Sequence, residues 1–190
     1  MANDFTISYP KKRIHRIAVS SFFFLAGLSF ASWASRIPNI QESLHLNNAA
    51  LGAMLLGLPV GSFVSLPVAG WLVARFGSRI VVIISALLYC LILPVLGLAN
   101  SKIQLAITLF AFGMSGNMLN ISMNTQAVST ESFYGRTIIA SYHGIWSLAG
   151  FSGAAIGTLM VSLGLRPVQH FLVINIICLL IVLSASRFLW

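Results

Sequence analysis

Carboxylates are nearly missing from this sequence. Asp4, Glu42 and Glu131 stand against eleven lysines and arginines, and charged residues of both signs make up 7% of the 190 positions. Soluble domains carry roughly 25%. With 58% hydrophobic residues and a mean hydropathy of +0.93, the chain lacks the ions to solvate its own surface in water. Most of that surface must face lipid. Cysteine is scarce as well. Cys90 and Cys178 stand far apart inside apolar stretches, which excludes a disulfide framework and any metal-ligand spacing. Long polar linkers are missing, so the chain forms one domain. A net charge of +8 would suit nucleic acid if the bases formed one patch. They are instead parcelled out between apolar blocks, the pattern that orients a membrane protein. No nucleic-acid partner, cofactor or enzymatic activity is expected; the lipid bilayer is the first partner.

Six apolar stretches are present, at roughly 17–35, 50–73, 80–98, 103–128, 137–163 and 168–186. Each is long enough for a hydrocarbon core of about 30 Å, which needs about 20 residues of helix. None alternates as a barrel strand does, and lipid offers the backbone no outside partner, so each stretch predicts a helix. The spacers are short and hold most of the charge, prolines and amides. The expectation is an all-α integral membrane bundle over 17–190, preceded by a basic cytoplasmic N-terminus over 1–16. Cytoplasmic termini place Lys11, Lys12, Arg13, Arg16, Arg75, Arg79, Arg136 and Arg187 inside, leaving Arg36, Lys102 and Arg166 outside. That asymmetry favours this orientation, multi-pass in the inner (plasma) membrane. A cleaved signal peptide is the rival for the first stretch, since KKRIHR, an apolar run and Ser32-Trp33-Ala34 follow one another. Cleavage would leave five helices, and the motifs that follow need the first helix intact.

The second connection reads Gly70-Trp71-Leu72-Val73-Ala74-Arg75-Phe76-Gly77-Ser78-Arg79. Gly77 suits a tight turn between antiparallel helices. This segment resembles the signature loop of the major facilitator superfamily, in which a glycine, an acid, a base and a second glycine recur at these spacings. Two further segments, Ala31-Ser32-Trp33-Ala34-Ser35-Arg36-Ile37-Pro38 and Tyr142-His143-Gly144-Ile145-Trp146-Ser147, are similar to a bacterial branch related to fucose permease-like carriers. Glu131 and Arg136 match the superfamily pattern at the fourth connection. The resemblance implies half of a twelve-helix fold, built from two inverted three-helix repeats, although no internal sequence identity is apparent. It implies secondary transport of a small polar solute by alternating access, with the substrate between two halves. Gly70, Arg75, Gly77, Arg79, Glu131 and Arg136 would then form the gating loops. The acid of the signature is Ala74 here, so either Arg75 or Arg79 pairs with Glu131, or all three are solvated surface charges.

An intramembrane polar stripe is a functional candidate, because polar side chains are costly in lipid. Asn117, Asn120 and Asn124 share one face of the fourth helix, where they either line a cavity or bond to neighbouring helices. His143 and Trp146 share a face of the fifth, at a depth similar to Asn120. His143 is either a proton relay or a neutral core residue. On the first helix, Ser29, Ser32, Trp33 and Arg36 form a stripe; Trp33 and Arg36 are expected toward the outer mouth of the cavity or, alternatively, as interfacial anchors. No carboxylate lies in any span, so proton coupling in this half would have to use His143. The fifth helix also lacks the proline-containing glycine signature of drug antiporters, which favours a polar metabolite. Gly57 and Gly61, and Gly153 and Gly157, form faces for close helix approach. Pro59, Pro67 and Pro94 are expected to kink their helices.

Two other readings compete. Gly113-Met114-Ser115-Gly116 is a G-x-S-G on the fourth helix, where rhomboid intramembrane serine proteases carry their nucleophile. Its base would have to be His143, nearer the cytoplasm and too far from Ser115 for a contact of about 3 Å. The other reading concerns length: six helices are half of the family's twelve. The partner would be a second six-helix half, or a homodimer copy in the same orientation.

Overall fold

The structure, a computed structural model, describes residues 9–190, with side chains from residue 12 onward. Lys11 and Asp4 lie outside the described side chains. The described residues form α1 (Tyr9–Ala34), α2 (Ile37–Ser43), α3 (Asn48–Leu55), α4 (Gly57–Phe76), α5 (Ser78–Leu96), α6 (Lys102–Ser132), α7 (Ile139–Ser162) and α8 (Pro167–Ala185). They make six spans long and apolar enough to cross a membrane. The first span combines α1 and α2, and the second combines α3 and α4. Spans three to six are α5, α6, α7 and α8.

Two details depart from the sequence expectation. Helix α1 begins at Tyr9, so the basic run before residue 17 is already helical. The proline-containing segment after Arg36 is a helix rather than a loop, with Pro38 in its first turn, where a backbone N–H has no intrahelical partner to lose. Local caps set the other boundaries. Asn47 accepts a hydrogen bond from Ala50 N at 2.8 Å to open α3, and Ser101 accepts one from Gln104 N at 3.2 Å to open α6. Gly77 turns α4 into α5 at a φ of 82°, a conformation that disfavours any side chain. Pro67 and Pro94 lie inside α4 and α5, whereas Pro59 sits in the first turn of α4, just past the break at Leu56.

Packing follows an internal symmetry. The first span packs most extensively on the fifth, and the second on the fourth. The third contacts the fourth and sixth, and the first contacts the sixth and fourth. Exchanging one with four, two with five and three with six leaves this pattern unchanged, as two inverted three-helix repeats require. Glycines build the two largest seams. A Cβ added at Gly61 would lie 2.0 Å from the Phe110 carbonyl oxygen, and one at Gly113 would lie 2.0 Å from that of Leu58. On the other seam, Gly27 would meet the Trp146 carbonyl oxygen at 2.3 Å and Gly153 that of Leu28 at 2.7 Å. Backbones therefore touch, the packing mode available where lipid removes the hydrophobic drive between helices. Helices α1, α5 and α6 supply most of the core, including Phe22, Leu25, Leu93, Leu105 and Leu109. Helices α4 and α7 are the least buried spans and leave Phe63, Leu148 and Phe151 exposed.

Candidate functional site

A cavity of about 350 Å³ lies between α1, α4, α5, α6 and α7. Helix α1 contributes Phe23, Ala26 and Phe30; α4 contributes Leu58 and Ser62; α5 contributes Tyr89. Helix α6 supplies Phe112, Gly113, Gly116, Asn117, Asn120 and Met123, and α7 supplies His143 and Trp146. Asn120, His143 and Trp146 are exposed, so the cavity is open to one side of the bundle. Its size suits a small molecule.

The amide stripe on α6 divides its labour. Asn117 donates to Ser62 O at 3.0 Å and Ser65 Oγ at 2.8 Å, stapling α6 to α4 while it lines the cavity. Asn124 donates to Asn120 O at 2.8 Å and Asn120 Oδ1 at 2.5 Å. Asn124 does not reach the main cavity. It borders a neighbouring depression with Asn120, Thr125 and Ser129. The His143 ring stands edge-on to Phe23, with centroids 5.5 Å apart, and Trp146 lies 6.4 Å from Phe30.

Trp33 and Arg36 are placed elsewhere. Trp33 is 2% exposed and packs edge-on against Phe112, with centroids 6.5 Å apart. Arg36 is 1% exposed, neither at the surface nor in the cavity mouth. Its Nε donates to His170 Nδ1 at 3.2 Å and its Nη1 to Asn39 Oδ1 at 3.3 Å. Helix α1 is rotated so that Phe23, Ala26 and Phe30 face the cavity, a spacing that the sequence itself displays. Ser62, Tyr89 and Phe112 are lining residues that the amide and histidine stripes do not reveal. His170, on the sixth span, is a second intramembrane histidine that the reading of the fifth helix overlooks.

The residues expected in the gating loops gather at one end of the bundle, and of the two alternatives for Glu131 no ion pair with Arg75 or Arg79 is present among the described residues. Glu131 Oε2 accepts from Ile138 N at 2.6 Å and Ile139 N at 3.0 Å, so it caps α7 instead of meeting Arg75 or Arg79. The orphan N–H groups of that helix start are the stronger local attraction, because a carboxylate satisfies two of them at once. Arg75 lies over Trp71 and Phe76 at 5.9 and 5.8 Å, and Arg79 and Arg136 are exposed. A Cβ at Gly70 would meet nothing within 4 Å. The same end is closed by Lys12 Nζ, which donates to Phe133 O at 2.6 Å, and by Gln126, which holds the backbone N and O of Trp190 at 3.0 and 2.7 Å.

The G-x-S-G segment has a packing role. Ser115 is 3% exposed and its hydroxyl donates to Ala111 O and Phe112 O within its own helix. Gly113 faces the Leu58 backbone and Gly116 the Tyr89 ring.

Fold and seams together define a six-helix membrane bundle with a side-open cavity, and comparison with known proteins places the chain in a family. Residues 18–190 match the model of the Major Facilitator Superfamily, and the chain belongs to that family. It is 35% identical over 165 residues to an uncharacterized MFS-type transporter of Yersinia pestis, covering 87% of this chain and 43% of that one. It is 29% identical over 181 residues to the membrane protein MosC of Rhizobium meliloti, covering 95% of this chain and 43% of the relative. Among solved structures, the E. coli fucose:proton symporter superposes with a TM-score of 0.69 at 21% identity, over 93% of this chain and 42% of that one. This likeness shows the fold, that of a multi-pass membrane protein. The chain spans less than half the length of each of these relatives.

Proposed function

We propose that this chain is one six-helix half of a secondary transporter. It carries a small polar solute across a bacterial inner membrane by alternating access, with both termini in the cytoplasm. The observation that supports this most is the side-open cavity. Its aromatic faces, Phe23, Phe30, Tyr89 and Trp146, flank a row of hydroxyl, amide and imidazole groups, Ser62, Asn117, Asn120 and His143. Amides and hydroxyls both donate and accept, which suits a neutral, hydroxyl-rich solute such as a sugar or a similar metabolite. The E. coli protein of similar fold couples fucose to a proton, as a fucose:proton symporter. No carboxylate lines the cavity, so proton coupling in this half would rest on the His143 imidazole. A second unit, either another half or a copy in the same orientation, would cover the apolar faces of α4 and α7 and complete the cavity.

Cysteine accessibility tests this reading. In a background lacking Cys90 and Cys178, Asn120→Cys, His143→Cys and Trp146→Cys are expected to react with a small hydrophilic thiol reagent in membranes. Trp33→Cys and Ser115→Cys are expected to stay unreactive. Silence at the first three positions would mean that no water-filled path reaches the cavity, and the reading would be lost.

A further inference from the structure

The turn between α4 and α5 carries two arginines that no described carboxylate neutralises. Arg75 lies in the last turn of α4 and Arg79 in the first turn of α5, on either side of Gly77, and both are exposed. The position at which the family signature has an acid is Ala74, also exposed. Glu131, the carboxylate described at this end of the bundle, is committed to the N–H groups of α7. Glu42 lies on α2, at the opposite end of the first span. Any counter-charge for this turn therefore comes from outside the described chain.

The surroundings say what kind of counter-charge fits. Trp71 and Phe76 are 58% and 48% exposed, and Ile80, one residue beyond Arg79, is 50% exposed. The Trp71 and Phe76 rings meet edge-on with centroids 5.9 Å apart, and the Arg75 guanidinium carbon lies 5.9 and 5.8 Å from those two centroids. Trp71 sits one turn deeper in the span than Arg75, about 6 Å along the helix axis. An exposed tryptophan at that level belongs to the aromatic belt, where rings lie among lipid headgroups. The corner thus borders headgroups rather than open water. A guanidinium laid against aromatic rings keeps its planar fork of N–H donors free, the geometry that takes a phosphate through two parallel hydrogen bonds. The rings also restrict its motion, so less freedom is lost when a phosphate binds. A zwitterionic headgroup would bring its ammonium toward Arg79, so a headgroup of net negative charge fits better.

We propose that the α4/α5 corner binds the headgroup of an anionic phospholipid, its phosphate held by Arg75 and drawn in by the second charge of Arg79. Phosphatidylglycerol is the simplest headgroup of this class. The lipid supplies the charge that Ala74 omits and fixes the depth of the turn in the membrane. The site needs the bundle to lie in a bilayer; it depends neither on the transport reading nor on which way the chain faces.

The test reads lipid contact at Trp71 itself. A chain carrying Trp33→Phe, Trp146→Phe and Trp190→Phe is reconstituted in bilayers, and its fluorescence is quenched by brominated phosphatidylglycerol or brominated phosphatidylcholine at equal mole fraction. Salt is held at about 0.1 M, where charges still act over about 10 Å. Phosphatidylglycerol is expected to be preferred about tenfold, falling to about twofold in Arg79→Gln and to parity in Arg75→Gln. Arg75→Lys is the deciding variant: it keeps the charge and loses the fork, and the preference should drop to about threefold. Arg136→Gln, at another connection, should leave the preference unchanged. Equal affinity for the two lipids before any arginine is changed would overturn the proposal. So would full preference in Arg75→Lys, which would mean that the corner senses only surface potential. Quenching by neither lipid would overturn it too, by showing that protein, such as a second copy of the chain, covers the corner. If the chain with Trp71 alone does not fold, native mass spectrometry of the wild-type chain in an equal mixture of the two lipids counts those retained, with Arg75→Lys again deciding.

Discussion

Replacing Gly61 by alanine gives the sharpest test of the packing described above. The added Cβ would lie 2.0 Å from the Phe110 carbonyl oxygen, 2.9 Å from its carbon and 3.0 Å from Met114 N. A carbon ordinarily approaches such an oxygen to about 3.3 Å, so α4 and α6 must separate by roughly 1.3 Å at this level. All three obstacles are backbone, so no rotamer change relieves them. Overpacking of this kind costs about 1–3 kcal/mol. The separation also strains the bonds that cross nearby, Ser62 Oγ to Gly113 O at 3.1 Å and Asn117 Nδ2 to Ser62 O at 3.0 Å. Interhelical bonds in membranes contribute about 0.6 kcal/mol each. The summed loss is about 2–4 kcal/mol, equivalent to a fall in Tm of about 5–10 °C for a chain of this size. Gly150→Ala is the control, because a Cβ there meets nothing within 4 Å. It should leave Tm unchanged or raise it slightly, through better helix propensity. Gly157→Ala should fall between, since Ser35 Oγ can rotate away while Ser35 Cβ, 2.6 Å from the added carbon, still forces a small shift of the helix. Thermal unfolding in one detergent, read by tryptophan fluorescence, orders the three variants. If Gly61→Ala melted within about 1 °C of the wild-type chain, a shift of under 0.5 kcal/mol by the same scale, backbone contact at this seam would be refuted.

Two further outcomes are expected. Glu131→Ala should lower stability by about 1–2 kcal/mol through loss of the α7 cap. Arg75→Gln and Arg79→Gln should each change it by less than about 0.5 kcal/mol and add independently to Glu131→Ala; strong non-additivity would restore the ion pair. Cys90 on α5 and Cys178 on α8 are both fully buried, on two helices that pack against each other. Iodine is therefore expected to join them in a disulfide between spans three and six. After denaturation this appears as loss of both maleimide-reactive thiols, recovered with dithiothreitol; persistent reactivity would mean the two spans do not meet there.

Features that depend on local sequence are legible in the chain itself. The six spans follow from apolar length, the turn at Gly77 from its glycine, and the close approaches at Gly57, Gly61, Gly153 and Gly157 from their spacing. Of the polar candidates, Asn117, Asn120, His143 and Trp146 are recognisable because each is polar or amphipathic in an otherwise apolar helix, and all four border the cavity. What stays hidden depends on how a helix is rotated about its axis. Helix α1 is apolar on nearly every side, so its sequence does not say whether Phe23 and Phe30 or Ser29 and Arg36 face the centre. The burial of Arg36 needs His170, contributed by the far end of the chain. Its partner Asn39 lies on a helix that the prolyl segment disguises as a loop. Glu131 has two kinds of partner on offer, and only three-dimensional proximity chooses the backbone of α7 over an arginine.

The exchange symmetry of the spans has a consequence for where residues meet their own counterparts. Contacts between spans one and four, and between three and six, map onto themselves, so a position on that axis faces its own counterpart. Cys90 on α5 and Cys178 on α8 are the same residue type on two packed helices related in this way. The two largest seams exchange with each other, and each sets a glycine against a partner carbonyl: Gly113 of α6 against Leu58 of α4, and Gly27 of α1 against Trp146 of α7. A bulkier residue at either glycine should therefore open equivalent seams, one on each side of the axis.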